Sequence, residues 1–457
     1  MQEPEQQSEL SATMRALARL SAAGLGGAAV VAIDKFRRQI QHGRNETGEL
    51  LANLSNYSLN QRRAFIIAAQ NLIAAIEDRH LPGGEMKTVV NAGRRNFREP
   101  WARDFGFSTY GLLELQEYNA IRETLEVFLQ FQTPEGQFPI KVHSTNILVR
   151  SIYSMLDKPQ PIINPLRPRY VSGFKEISLD GNPLLVSAAV EYARRSGDIA
   201  FLRSHWLQLL QALRWMEGFA PDEDQLVSQA PYSDWADTVA RSGKVLYTNV
   251  VYWKALHDVA EAGRDFDLPG DGPHLRGLAN QLQQSIISHF WHDELGYLIT
   301  SEEFHQLSSC GNLLAIAWGC TDEAMSASIF AKMTEFGMHI PLPTKPLSGH
   351  YPRKAIAPLA RLGGFPNYHE DVAWIWLGAW HVIALARHER LMEAEELLDS
   401  ISAVIARDKL VYEVYKPDGK HFSNIFYTAE APLTWSAAML VHAFNVFNRH
   451  PGRTPSA

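Results

Sequence analysis

Along most of the chain apolar residues recur three and four positions apart, the spacing that lays one apolar stripe along an α-helix. LNQRRAFIIAAQNLIAAIEDRH (59–80) reads as one helix, and DFGFSTYGLLELQEY and NAIRETLEVFLQFQT read as two with a tight break near Asn119. NPLLVSAAVEYARRSGD stops at Gly197 and runs at once into IAFLRSHWLQLLQALRWMEGF, a helix pair with a glycine stop. VLYTNVVYWKALHDVAEAG with HLRGLANQLQQSIISHFW makes a further pair. DEAMSASIFAKMTEF, DVAWIWLGAWHVIALARHERL, MEAEELLDSISAVIARD and PLTWSAAMLVHAFNVFNRH complete the set. Strand signals are few and short: KVHSTNILV, LGYLIT and LVYEVY. About a dozen helices in hairpins, with short and long connections alternating, predict an all-α fold. The arrangement expected is a closed ring of helix pairs, an (α/α)6 toroid, whose long loops gather at one end. The expected organisation is a loose tail over 1–20 and a single domain over 21–449, in which 21–95 forms an additional helical cap.

The unusual residues fall in the long loops and at helix starts. FREPWARDFGF carries Trp101, Arg103 and Asp104; PYSDWADTVARSG carries Asp234, Trp235, Asp237 and Arg241. GGFPNYHEDVAWIW carries His369 and Trp374, and VYEVYKPDGKHF with AEAPLTWSAA carries Glu413, Tyr415 and Trp435. Each loop joins carboxylates to tryptophan or tyrosine. That mixture suits a sugar, whose apolar ring face lies on aromatic planes and whose hydroxyls take paired hydrogen bonds from Asp, Glu and Arg. Cleaving a glycosidic bond needs two carboxyl groups, one protonated to serve the leaving oxygen and one ionised. The same residues have plainer readings. Asp104, Asp234 and Asp237 sit where acids favour a helix start, Glu413 sits on an alternating run that faces solvent, and at least two of Trp374, Trp376 and Trp380 belong to a core.

Composition narrows the classes. With 457 residues, 46% hydrophobic and 20% charged, the chain reads as globular. A net charge of -7 leaves no broad basic field for nucleic acid or an anionic membrane. No apolar run reaches the ~18 residues needed to span a bilayer, Leu20–Phe36 being the longest approach. The two cysteines, Cys310 and Cys320, fit buried free thiols and a reducing cytoplasm. With no HExxH, Cys/His cluster, calcium loop, phosphate loop or serine elbow, no metal and no cofactor is expected. PLRPRY, inside the Pro- and Arg-rich segment Asn146 to Phe174, is basic and extended and is noted as a possible rim.

WARDFGF, YSDWADTVARSGKVLYTNVVYWKAL, FWHDELGYLIT, YHEDVAWIWLGAW and YEVYKPDG…AEAPLTWSAAMLV, in that order from Trp101 to the last helix, resemble the inverting glycoside hydrolases built on an (α/α)6 toroid. The likeness is greatest to the glucosidase domain of glycogen debranching enzymes (amylo-α-1,6-glucosidase), with alkaline/neutral invertases, trehalases and processing α-glucosidases as relatives. The resemblance implies that Asp237 is the general acid, with Asp234 as the fallback, and Glu413 the general base. It implies that Asp104 holds hydroxyls of the terminal sugar, that His369 and Trp374 line the pocket, and that Trp101, Arg103, Asp234, Trp235, Arg241, Tyr415 and Trp435 complete the saccharide contacts. Debranching enzymes carry W-M-D where this chain has Trp235-Ala236-Asp237. Against a Trp235 wall Asp237 is expected to hold its proton near neutrality, while a better solvated Glu413 stays ionised and activates water. The carboxyl groups of an inverting pair stand ~6.5–9.5 Å apart.

The function expected is therefore hydrolysis of an α-glucosidic bond in a small saccharide or glucan end. Sucrose hydrolysis of the alkaline/neutral invertase type is the alternative. A sugar epimerase on the same toroid, with histidines as acid and base, and a non-catalytic carbohydrate-binding protein are the remaining ones. The partner expected is a saccharide, with no nucleic acid, no membrane, a possible homo-oligomer and a cytoplasmic location.

Overall fold

The computed structural model describes residues 57–452 apart from 157 and 271. The loose tail 1–20, the apolar stretch Leu20–Phe36 and the 21–56 part of the helical cap lie outside the described residues. In chain order the helices are α1 Leu59–Ile73, α2 Ala102–Glu114, α3 Tyr118–Gln130, α4 Ile147–Met155, α5 Gly181–Ser196, α6 Ile199–Glu217 and α7 Leu246–Asp265. They continue with α8 Gly272–Phe290, α9 Ser309–Ala317, α10 Glu323–Glu335, α11 Pro358–Leu362, α12 Ile375–Arg387, α13 Leu391–Asp408 and α14 Thr434–Asn448. Short two-stranded pieces lie in the loops, among them β1 Ile76–His80 with β2 Met86–Val90, and β3 Lys141–His143 with β4 Arg167–Arg169.

Six helices close a ring. α2 packs on α5, α5 on α7, α7 on α9, α9 on α12, α12 on α14, and α14 returns to α2. Outside it, α1 packs on α14, α3 on α5, α6 on α5, α8 on α7, α10 on α9 and α13 on α12. The two rings make the (α/α)6 toroid that the pairing of helices in the sequence predicts. Composition decides which ring a helix joins. IWLGAWHVIALAR in α12 is apolar on every side and is buried from Ile375 to Ala386. LMEAEELLDSISAVIARD in α13 is apolar on one stripe and buries only Ala394, Leu397, Leu398, Ile401, Ser402 and Ile405.

The inner helices begin without side-chain caps. Loop carbonyls take the orphan first-turn donors instead. Ala102 N–H donates to Ile140, Leu246 to Thr300, Ser309 to Pro346 and Thr434 to Ala92. This lashes the long loops across the helix starts, where the unusual residues sit.

Contact inside the ring is close. A Cβ at Gly111 of α2 would lie 2.3 Å from the carbonyl oxygen of Ala438 in α14. Gly111→Ala is expected to cost about 1–3 kcal/mol through overpacking. Gly277→Ala, at an exposed position of α8 with nothing within 4 Å of the new carbon, is expected to gain about 1 kcal/mol from helix propensity. Urea midpoints measured side by side check the contrast, and equal midpoints would remove the close-approach argument.

The helix expected over 59–80 ends at Ile73, and residues 76–80 form β1. The reason is the Leu81-Pro82-Gly83-Gly84 turn, whose two glycines take φ of +99° and +91° and fold β2 back on β1. Buried Arg79 then fixes the hairpin through Asn91 Oδ1 at 3.1 Å and Ser144 Oγ at 2.6 Å. Among the described residues no helix is long and apolar enough to cross a membrane. Cys310 and Cys320 are buried and free, as the sequence suggested.

Candidate active site

Two connected chambers open where the inner helices begin. One of about 180 Å³, termed inner for the three carboxyl groups it holds, is lined by Asp104, Asp237 and Glu413 together with Trp101, Trp235, Trp374 and Trp435. The outer one is about 280 Å³. Trp101, Arg103 and Asp237 face both. Chain positions more than 300 residues apart meet because each loop precedes an inner helix: Asp104 lies in the first turn of α2, Trp374 is the residue before α12, and Trp435 is in the first turn of α14.

Asp237 has no hydrogen-bond donor from the protein among the described residues. Its side chain is exposed to the chamber, while the protein packed around the chamber displaces most of the bulk water near it, so it is partly desolvated without being sealed off. Desolvation pushes its carboxyl up to about 6; Arg103 opposes this, and Glu413, Asp234 and Asp180 add to it. Desolvation likewise raises Asp104 to about 7, against Arg103 and with Glu413.

Glu413 is held differently. Its Oε2 accepts from Tyr368 Oη at 2.7 Å, Tyr427 Oη at 2.8 Å and Glu430 N–H at 3.1 Å. Its Oε1 takes no donor from the protein among the described residues. Burial raises its pKa and the three donors oppose that rise. The carboxylate is not the better solvated partner the sequence suggested. Glu413 is only 6% exposed, and hydrogen bonds replace water in favouring its charge. Glu430 itself is buried, is pushed up to about 7 by desolvation, and accepts the N–H groups of Arg94, Arg95 and Asn96. It pins the loop before Trp101 to the loop carrying Glu413.

The other sequence candidates divide. Trp235, Trp374 and Trp435 line the inner chamber, while Trp376 and Trp380 are core. His369 also lines it. His369 Nδ1 shares a 2.8 Å hydrogen bond with Thr238 Oγ1 and its ring stacks on Trp374, while burial and then the Arg241 and Arg103 cations hold its pKa well below the usual histidine range. Asp234 lines the outer chamber, but its Oδ1 is tied to Arg241 at 2.5 Å. Arg241 is fully buried behind Asp234 and reaches neither chamber. Tyr415 is fully buried beside Tyr412 and also reaches neither.

Sequence reasoning does not single out Tyr368 or Tyr427, the donors to Glu413, nor Asp180, which pairs with Arg103 at 3.4 Å. Tyr368 directly precedes His369, so it lies in a loop that the sequence does mark. Asp180 stands before Gly181-Asn182-Pro183, and locally reads only as a helix start. The described His, Cys, Asp and Glu side chains most able to take a metal, His350, Glu370 and Asp371, lie outside both chambers. There Glu370 already accepts from the Tyr351 N–H at 2.8 Å and sits 2.9 Å from His350 Nδ1.

Residues 148–340 match the family model of the bacterial alpha-L-rhamnosidase 6 hairpin glycosidase domain. No curated protein is similar enough in sequence to match the chain. Among solved structures, a rhamnosidase from Klebsiella oxytoca with rhamnose bound superposes with a TM-score of 0.61 at 14% identity, over 84% of this chain and 63% of that one. This chain therefore spans less than two thirds of the Klebsiella protein. The GH63 mannosylglycerate hydrolase from Thermus thermophilus, in complex with Tris, superposes with a TM-score of 0.60 at 12% identity, over 84% of this chain and 99% of that one. The chain thus has the fold of the six-hairpin glycosidases, and two fifths of it match one of their family models directly.

Proposed function

We propose that the protein is a glycoside hydrolase that cleaves an α-glucosidic bond in a small saccharide or glucan end with inversion, Asp237 acting as general acid and Glu413 as general base. The observation that carries this is the unequal treatment of two carboxyl groups lining one aromatic chamber. Asp237 is desolvated, without a donor, and keeps its proton toward pH 6. Glu413 has one oxygen saturated by three donors and the other bare. A sugar in the inner chamber lies among four tryptophans with Asp104 at its hydroxyls, and its leaving oxygen falls toward Asp237, which faces both chambers. Water held by Glu413 Oε1 attacks from the opposite face as Asp237 protonates that oxygen. The match of residues 148–340 to a glycosidase domain supports the reading. The epimerase alternative has less to work with, because His369 is the one histidine lining the chambers among the described residues and it is held neutral. The two free cysteines fit a reducing cytoplasm.

The test is a panel of sucrose, trehalose, maltose, isomaltose, panose and an α-L-rhamnoside, followed by proton NMR during the first turnovers. The expected result is release of glucose that appears first as the β-anomer. Early α-anomer would replace inversion with retention, and no release from any member, nor from α-glucosyl glycerate, would remove the hydrolase reading.

A further inference from the structure

The outer chamber has more positive charge than its walls neutralise. Arg103, Lys141, Arg150 and Arg169 line it. Two of these are spoken for: Arg103 by Asp180 at 3.4 Å, and Lys141 by Glu99 at 2.6 Å. Of the acids in the wall, Asp180 and Asp237 bear on Arg103, and Asp234 is tied to Arg241 at 2.5 Å. Arg150 and Arg169 are left without a carboxylate among the described residues. Arg150, on α4, has no side-chain partner at all there. Arg169 spends Nε on the Val171 carbonyl at 2.8 Å and Nη2 on the Ser172 carbonyl at 3.0 Å, which fixes its guanidinium plane and leaves Nη1 unused. The placement is built into the fold: β4 pairs with β3 so that Arg169 stands opposite Lys141, and both guanidinium groups bear on that ammonium. Burial chiefly, with Arg150 and Arg169 adding, holds Lys141 down at about 8. In the same chamber Phe174 and Tyr232 stack at 4.3 Å and supply an apolar wall. Two uncompensated guanidinium groups beside an aromatic wall match a small group that ends in a planar or tetrahedral oxyanion.

We propose that the outer chamber binds the leaving group of the substrate and selects one that carries a negative charge, a carboxylate or a phosphate, through Arg150 and Arg169. That the bound group is a leaving group rests on the glycosidase reading, while the anion site itself rests on the chamber alone. The decisive comparison is kcat/KM for α-glucosyl glycerate, α-glucosyl glycerol and the glucoside of glycerol phosphate, or the same set on whichever sugar the panel selects. One of the two charged glycosides is expected to exceed the neutral one by about tenfold or more. The preference should fall toward one in the Arg150→Gln/Arg169→Gln double variant. The ratio is read within each protein, so a change in folded fraction cancels. Which charged glycoside leads tells carboxylate from phosphate. Equal rates for charged and neutral glycosides, or a preference that survives the double substitution, would overturn the proposal. If no glycoside is cleaved, the hydrolase reading has failed separately, and calorimetric titration with glycerate, glycerol phosphate and glycerol decides the anion site. Binding of an anion but not of glycerol, weakened about tenfold in the double variant, supports it; no anion binding, or binding unchanged by the substitutions, overturns it.

Discussion

Glu413→Gln is expected to lower kcat by on the order of 10²–10⁴-fold with KM held within a few-fold. The glutamine keeps the shape of the glutamate, so the fold has no reason to change. Its amide oxygen can still accept from Tyr368 and Tyr427, which donate to Oε2 in the parent protein. What disappears is the negative charge on the other oxygen, and with it the group that takes a proton from the attacking water. A second effect makes the prediction specific. Glu413 is one of the charges that raise Asp237 and Asp104. Without it both carboxyls ionise more readily, so the alkaline limb of the residual activity should move to lower pH than in the parent. Steady-state kinetics across pH, beside circular dichroism of both proteins, give the answer. A kcat within tenfold of the parent would end the assignment of Glu413 as base. A large loss with an unmoved alkaline limb would leave Glu413 catalytic but deny its coupling to Asp237.

The helix pairs and the four acid-and-aromatic loops were legible because each depends on short-range pattern. Apolar spacing identifies α12 and α13, and Gly197, with φ of 77°, ends α5 where the sequence places the stop. The closure of the ring was legible only as a consequence of helix pairing. Three features depended on contacts distant in sequence and were not readable. Tyr368 and Tyr427 reach Glu413 from loops 45 and 14 residues away, and nothing about an isolated tyrosine announces a hydrogen bond to a base. Arg241 and Asp234 lie in one loop and their pairing is one of the two roles the sequence offers Arg241, yet their mutual burial, which withdraws Arg241 from the chambers, follows from how that loop packs against Tyr351. The segment Asn146 to Phe174 reads as a possible rim from its basic composition. It becomes a wall of the outer chamber because β3 and β4 pair across it.

Asp237→Asn is expected to cost as much as the Glu413 substitution on a natural glycoside, on the order of 10²–10⁴-fold in kcat/KM, but the loss should depend on the leaving group. An alkoxide leaves poorly and needs the proton; a nitrophenolate or fluoride leaves without one. The penalty on an aryl glucoside or glucosyl fluoride should therefore be much the smaller. A uniform penalty would mean that Asp237 binds rather than protonates. In the parent, Asp237 must be protonated, so activity should fall as pH rises through about 6, and this limb should vanish in the variant. The substitution is expected to move stability in the opposite direction from activity. The folded-state pKa of about 6 lies above the ordinary 3.8, so folding favours the protonated carboxyl. That contribution is fully present below about pH 3.8 and is lost as pH rises through about 6. Asparagine carries no charge to desolvate. The variant should melt at a higher temperature than the parent at pH 7.5, with the gap closing toward pH 4. An inactive protein that is more stable than its parent at neutral pH cannot owe its inactivity to unfolding. Calorimetric scans at the two pH values, set beside the leaving-group series, therefore separate a lost proton donor from a damaged fold.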